Sequence, residues 1–192
     1  MKKLTTFLIL LANLVTCHAQ ETASAKTDVC DCPEPSETDF TRVCNSIYDK
    51  KSPTDVNAII AYKYQEDLYK MSCVDISIDS KDVIYEKIRC MWNKNKEKFR
   101  CFQYDGVSVP NSNVLKFCMD VNFSTFLVTA VKKYKLELNF IDPADGKTIM
   151  DFLDSQLKSY RNADYVDKAN EYQRIYELLK ANGAKHSSEL NK

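Results

Sequence analysis

Seven of the chain's eight cysteines lie between residues 30 and 118, and the way they cross-link limits every fold the chain can adopt. At this density a reducing compartment suggests metal ligation, whereas an oxidising one suggests disulfides. The N-terminus decides between them. Met1-Lys2-Lys3 precedes an apolar run from Leu4 to Val15, and Cys17-His18-Ala19 puts small residues at the two positions a signal peptidase reads. A charged start, a short apolar stretch and such an exit make a secretory signal peptide over residues 1–19. The run is too short for a membrane span of ~20 residues, so none is expected. The expected compartment is the periplasm.

A second reading keeps Cys17. Leu14-Val15-Thr16-Cys17 resembles a bacterial lipobox, with Thr16 where Gly or Ala is usual. A lipid anchor at Cys17 would make the chain a membrane-anchored lipoprotein without changing its fold.

After cleavage the cysteines are Cys30, Cys32, Cys44, Cys73, Cys90, Cys101 and Cys118. Seven is odd, so one thiol is left over. Cys30-x-Cys32 has the wrong spacing for zinc, and the mature chain has a single histidine, His186. Neither a metal nor a cofactor is expected. Sequence leaves the pairing open. Proximity along the chain favours Cys90 with Cys101, Cys73 with Cys118, and Cys44 with Cys30 or Cys32.

Removing Lys2 and Lys3 with the leader leaves 25 basic and 27 acidic residues. Phosphate neutralisation needs a basic excess, so nucleic acid is not an expected partner. Residues 20–37 read as a polar leader rich in Ser, Thr, Glu and Pro. Residues 38–192 read as one domain.

That domain has helical periodicity throughout. Thr38-Asp39 opens a helix with Phe40, Val43, Cys44 and Ile47 on one face. Ser52-Pro53 starts a second, with Val56, Ile59, Ile60, Tyr64, Leu68 and Met71. Ser80 caps a third, with Val83, Ile84, Ile88 and Met91 inward. Asn93–Lys98 reads as a polar connector, and Tyr104–Asn113 as a loop because of Asp105-Gly106 and Val109-Pro110. Asn111-Ser112-Asn113 caps the next helix and Ser124-Thr125 the one after it. Lys147–Tyr160 and Asn170–Ala181 are amphipathic, the latter closed by Gly183. No run alternates with a period of two, so the expected fold is all-α, with short helix pairs stacked as repeats.

Asp145-Gly146-Lys147-Thr148-Ile149-Met150 resembles the opening of an ankyrin repeat. Leu178-Leu179-Lys180-Ala181-Asn182-Gly183-Ala184-Lys185 resembles the end of a repeat's second helix and its exit, and Leu136 to Asp142 resembles the exit of the repeat before. The resemblance covers residues 111–185 and extends to the rest by analogy alone. It implies a short solenoid in which Asn139, Asp142, Asp145, Gly146, Thr148 and Gly183 shape the loops. Two departures stand out. Lys135 occupies the position of an exit Gly. Gly146 and Gly183 are further apart than the family pattern places them, which implies a lengthened interhelix loop around Tyr160–Ala169. Such solenoids bind proteins through exposed helix faces and loop tips.

No catalytic set is apparent. His186 sits in a polar tail, the three glycines make no phosphate loop, and no carboxylate pair stands out. Small exported cross-linked proteins of this style look like bacterial immunity proteins. That resemblance implies a protein partner, a toxic effector enzyme such as a type VI secretion effector. Two alternatives stay open. One is an envelope scaffold or lipoprotein with ankyrin-like repeats. The other is a thiol-disulfide protein using Cys30 and Cys32.

Overall fold

A computed structural model describes residues 29–49, 63–104 and 107–190. The expected signal peptide, the lipobox reading at Cys17, most of the expected polar leader, the expected helix start at Ser52-Pro53 and the Asp105-Gly106 pair lie outside the described residues. Those described form eight α-helices, one π-helical segment and a two-stranded hairpin.

Helix α1 (Glu37–Asp49) begins one residue before the expected start. Ser36 and Asp39 cap it reciprocally: the Ser36 amide donates to Asp39 Oδ2 at 2.9 Å and the Asp39 amide donates to Ser36 Oγ at 3.3 Å. Phe40, Val43, Cys44 and Ile47 are buried at the expected spacing. Helix α2 (Lys63–Met71) buries Tyr64, Leu68 and Met71. Helix α3 (Lys81–Asn95) is capped by Ser80, whose Oγ accepts from the Val83 amide. It runs into the expected polar connector and ends at buried Asn95, which donates to the Met91 carbonyl.

Strands β1 (Arg100–Tyr104) and β2 (Val107–Asn113) pair antiparallel, with an irregular register between Cys101 and Gln103. This corrects the loop expected over Tyr104–Asn113. Pro110 has no N–H to give, but a two-stranded ribbon has only edge strands, where proline is tolerated.

Asn113 then caps α4 (Val114–Asp120), its Oδ1 accepting from the Leu115 and Lys116 amides at 3.1 Å each. Helix α5 (Thr125–Thr129) follows Ser124, which makes no side-chain cap. A π-helical segment, Ala130–Tyr134, stops at Lys135 in the left-handed region with φ 57°. Helices α6 (Ile149–Asn162) and α7 (Val166–Ala181) form the C-terminal hairpin, and a short α8 (Ser187–Leu190) follows. The expected insert at Tyr160–Ala169 is not a long loop. The extra residues extend both helices, leaving three residues between them.

One apolar core spans all of this. Trp92, the chain's single tryptophan, is fully buried against Phe99 and Phe140, and its indole N–H donates to the Glu137 carbonyl at 2.6 Å. Helix α3 is thereby fixed to the segment after the π-helical turn. Arg89 adds a hydrogen bond to the Tyr134 carbonyl. No described helix is long and apolar enough to cross a membrane.

Candidate functional site

Three bridges form: Cys30–Cys90, Cys32–Cys73 and Cys44–Cys101. This corrects the pairing favoured by proximity. Cys90 sits on α3 and Cys101 in β1, but Cys101 faces α1, where Cys44 meets it. Cys73 meets the leader. Among the described cysteines Cys118 is the remaining thiol, buried in α4, with its Sγ near the Leu115 carbonyl. Burial pushes its pKa far up, which leaves it a poor nucleophile. Cys30 and Cys32 bond to separate partners and not to each other, so the redox pair considered from sequence is not formed. Cys30, Cys90 and Glu86 bring their donor atoms within 4.8 Å of one another. Both sulfurs are consumed by their own bridge, and Glu86 accepts from Arg89.

Two of the bridges build a cleft of about 300 Å³. The segment Val29–Pro35 forms one wall and α3 the other. Met71 and Met91 are apolar lining residues, and Lys87, Lys94 and Lys98 are also in the lining. Lys94 donates to the Cys30 carbonyl at 2.9 Å, and Lys98 pairs with Glu34. Beside the cleft, the turn from Cys73 to Ser80 is tied at many points. Cys73 has φ 52° and is held by Cys32. The Asp75 amide donates to Asp79 Oδ2 and the Asp79 amide to the Asp75 carbonyl, both at 2.8 Å. Ser77 gives its amide and hydroxyl to Asp75 Oδ1. Lys87 reaches both Asp79 Oδ2 at 2.6 Å and the Cys73 carbonyl at 3.0 Å. On this fixed turn Ile76 and Ile78 are 74% and 79% exposed.

The ankyrin-like positions gather elsewhere, in two places. Asp142 is buried and receives four donors: Arg100 Nη1 at 2.6 Å, Asn113 Nδ2 at 2.9 Å, Lys116 Nζ at 2.9 Å and the Ala144 amide at 3.0 Å. Lys116 also reaches Asp145 Oδ1 at 2.6 Å. Burial alone would raise the Asp142 carboxyl. The Ala144 amide, Arg100 and Lys116 outweigh it and hold that carboxyl well below the usual carboxylate range. Asp142 bridges to Lys147 across a turn containing Gly146 at φ 68°, where a non-glycine residue would be strained. Thr148 and Asp151 form a capping box on α6. Asn139 donates to the Gly183 carbonyl at 2.9 Å and accepts from the Lys185 amide at 2.8 Å. These residues are therefore loop-shaping groups in the structure.

His186 is not a freely solvated tail residue. Its Nδ1 lies 2.9 Å from Asp151 Oδ1, and Nε2 lies 3.1 Å from the Tyr176 hydroxyl. Asp151 also accepts from the Thr148 and Ser187 amides. Burial opposes this, but those donors and His186 hold the Asp151 carboxyl far below its ordinary value. An Asp-His-Tyr chain can in principle relay a proton. Here it fastens the tail to the start of α6. Sequence reasoning missed it because the three residues lie on separate elements, with only the capping pattern Thr148-x-x-Asp151 visible.

A second exposed apolar feature lies at the tip of the α6–α7 hairpin. Tyr165 and Val166 are 63% and 61% exposed. Tyr165 is positioned by its amide, which donates to the Tyr160 carbonyl at 2.9 Å, and by edge contact with the Tyr160 ring. No protein-family model, no curated protein and no solved structure matches this chain.

Proposed function

We propose that the chain is an exported protein-binding module of the periplasm, an immunity protein that neutralises a toxic effector enzyme such as one delivered by type VI secretion. The observation that carries this reading is the Tyr165–Val166 tip. It is an aromatic and an aliphatic side chain, exposed together on a short turn that Tyr160 holds in place. Tyrosine is enriched among the few residues that dominate interface energies, and a fixed tip loses little freedom on docking. The reading of residues 111–185 as ankyrin-like belongs to the same proposal, because such stacks bind proteins through exposed helix faces and loop tips.

Binding without catalysis suits the side chains present. His186, the strongest candidate base, is engaged on both ring nitrogens. Cys118, the free thiol, is buried and held protonated. Export into an oxidising compartment suits the three bridges.

The test is genetic. The product of the adjacent gene is expressed in the periplasm, with and without this chain. Growth arrest that the chain relieves, and that Tyr165→Ser with Val166→Ser does not relieve, is the expected result. A harmless neighbour, or arrest the chain leaves untouched, overturns the reading.

A further inference from the structure

The Ile76–Ile78 turn and the lysine-lined cleft are made by elements other than the C-terminal hairpin, and they lie side by side. Met71 lines the cleft two residues before the turn begins. The Cys32–Cys73 bridge joins the base of the turn to the cleft wall, and Lys87 touches both. The two features are complementary. The turn offers two aliphatic side chains flanked by Asp75, Asp79 and Asp82. The cleft offers Lys87, Lys94 and Lys98 with a single carboxylate, Glu34, and an apolar wall at Pro33 and Pro35 over the buried Met71 and Met91. Its volume of about 300 Å³ lies at the small end of ligand pockets, a size that suits a protruding turn. In the single chain the isoleucines stay three-quarters exposed, so the chain's own cleft does not cover them.

We infer that the chain associates with a second copy of itself, each copy seating its Asp75–Asp79 turn in the other's cleft. Two complementary features adjacent on one face are what a two-fold, self-complementary interface requires. The carboxylates of Asp75 and Asp82 meet the rim of Lys94 and Lys98, whose partners within the chain are the Cys30 carbonyl and Glu34, and the isoleucines meet the prolines of the cleft wall. Opposite charges around an apolar centre fix the register of such a contact. A membrane surface is a poorer occupant for the turn, because anionic lipids repel its two aspartates and the neighbouring Asp82. This inference stands apart from the proposed effector contact, which uses Tyr165 and Val166.

The experiment is sedimentation equilibrium on the oxidised mature chain across about 1–100 µM, the range in which micromolar association becomes visible. The expected result is a rise from the mass of one chain to that of two. Ile76→Asp with Ile78→Asp should stay at one chain, as should Lys94→Glu with Lys98→Glu, each keeping the wild-type circular dichroism spectrum. Mixing the two variants should restore a weaker dimer, because one intact turn then meets one intact cleft. Tyr165→Ser with Val166→Ser should dimerise normally. A wild-type chain that remains single throughout overturns the inference, whatever else occupies the cleft. So does a turn variant that pairs as well as the wild type.

Discussion

Lys116 and Asp142 form an ion pair at 2.9 Å with side chains only 3% and 2% exposed. The pair joins α4 to the loop before α6, and through Arg100 and Asn113 it also holds the hairpin. Removing one partner of a buried pair strands the other charge, which costs about 3–5 kcal/mol. Asp142→Ala should therefore be among the most destabilising single changes in the protein. Urea unfolding followed by Trp92 fluorescence checks this. Lys116→Met should cost less, because Arg100 still neutralises Asp142.

Acid should act through the same group and through Asp151. Both carboxyls are held below their unfolded-state values, so their stabilisation is present above about pH 4 and is lost as pH falls below it. The urea midpoint should be flat between neutral pH and about pH 5, then fall. In Asp142→Asn that fall should be shallower, since one depressed carboxyl is gone.

Lys135 ends the π-helical segment at φ 57°, a conformation that disfavours every residue with a Cβ. Lys135→Gly should relieve that strain and stabilise the protein by roughly 0.5–1 kcal/mol after the entropy of the added glycine is deducted. Thermal unfolding measures it. A neutral or negative effect would mean that the lysine's own contacts outweigh the backbone.

The tail latch makes a separate forecast. Without the His186 imidazole, residues 184–190 lose their hold on Tyr176 and keep only the Ser187 amide on Asp151. His186→Ala should raise amide hydrogen exchange at Ser187 and its neighbours and leave α3 unchanged. Asn139→Ala should loosen the same stretch from the other side, through Gly183 and Lys185.

Helices were the legible part of this fold. The spacing of Phe40, Val43, Cys44 and Ile47 marks α1, and the caps at Ser80, Asn113 and Thr148 sit where their side chains accept backbone N–H groups. The hairpin was hidden because Pro110 and a register irregularity break any alternation, although Asp105-Gly106 between two short runs is a hairpin signal in its own right. The bridges were illegible for a different reason. Proximity along the chain ranks Cys101 beside Cys90, but the strand carrying Cys101 packs on α1, and only the packing shows that. The cleft, the isoleucine turn and the His186 latch each join residues far apart in sequence, which no local pattern records.

Everything above rests on how sulfur staples the leader and the first strand to the helices. Each bridge closes a loop of 41 to 60 residues, which restricts the unfolded chain by about 4 kcal/mol in the entropic picture. Peptide mass mapping of the oxidised protein, digested without reductant and with its free thiol blocked after unfolding, reads that framework. The expected map contains Cys30–Cys90, Cys32–Cys73 and Cys44–Cys101, with the blocking label on Cys118 alone. A map that joins Cys90 to Cys101 or Cys73 to Cys118, or that finds the label spread over several cysteines, would contradict it.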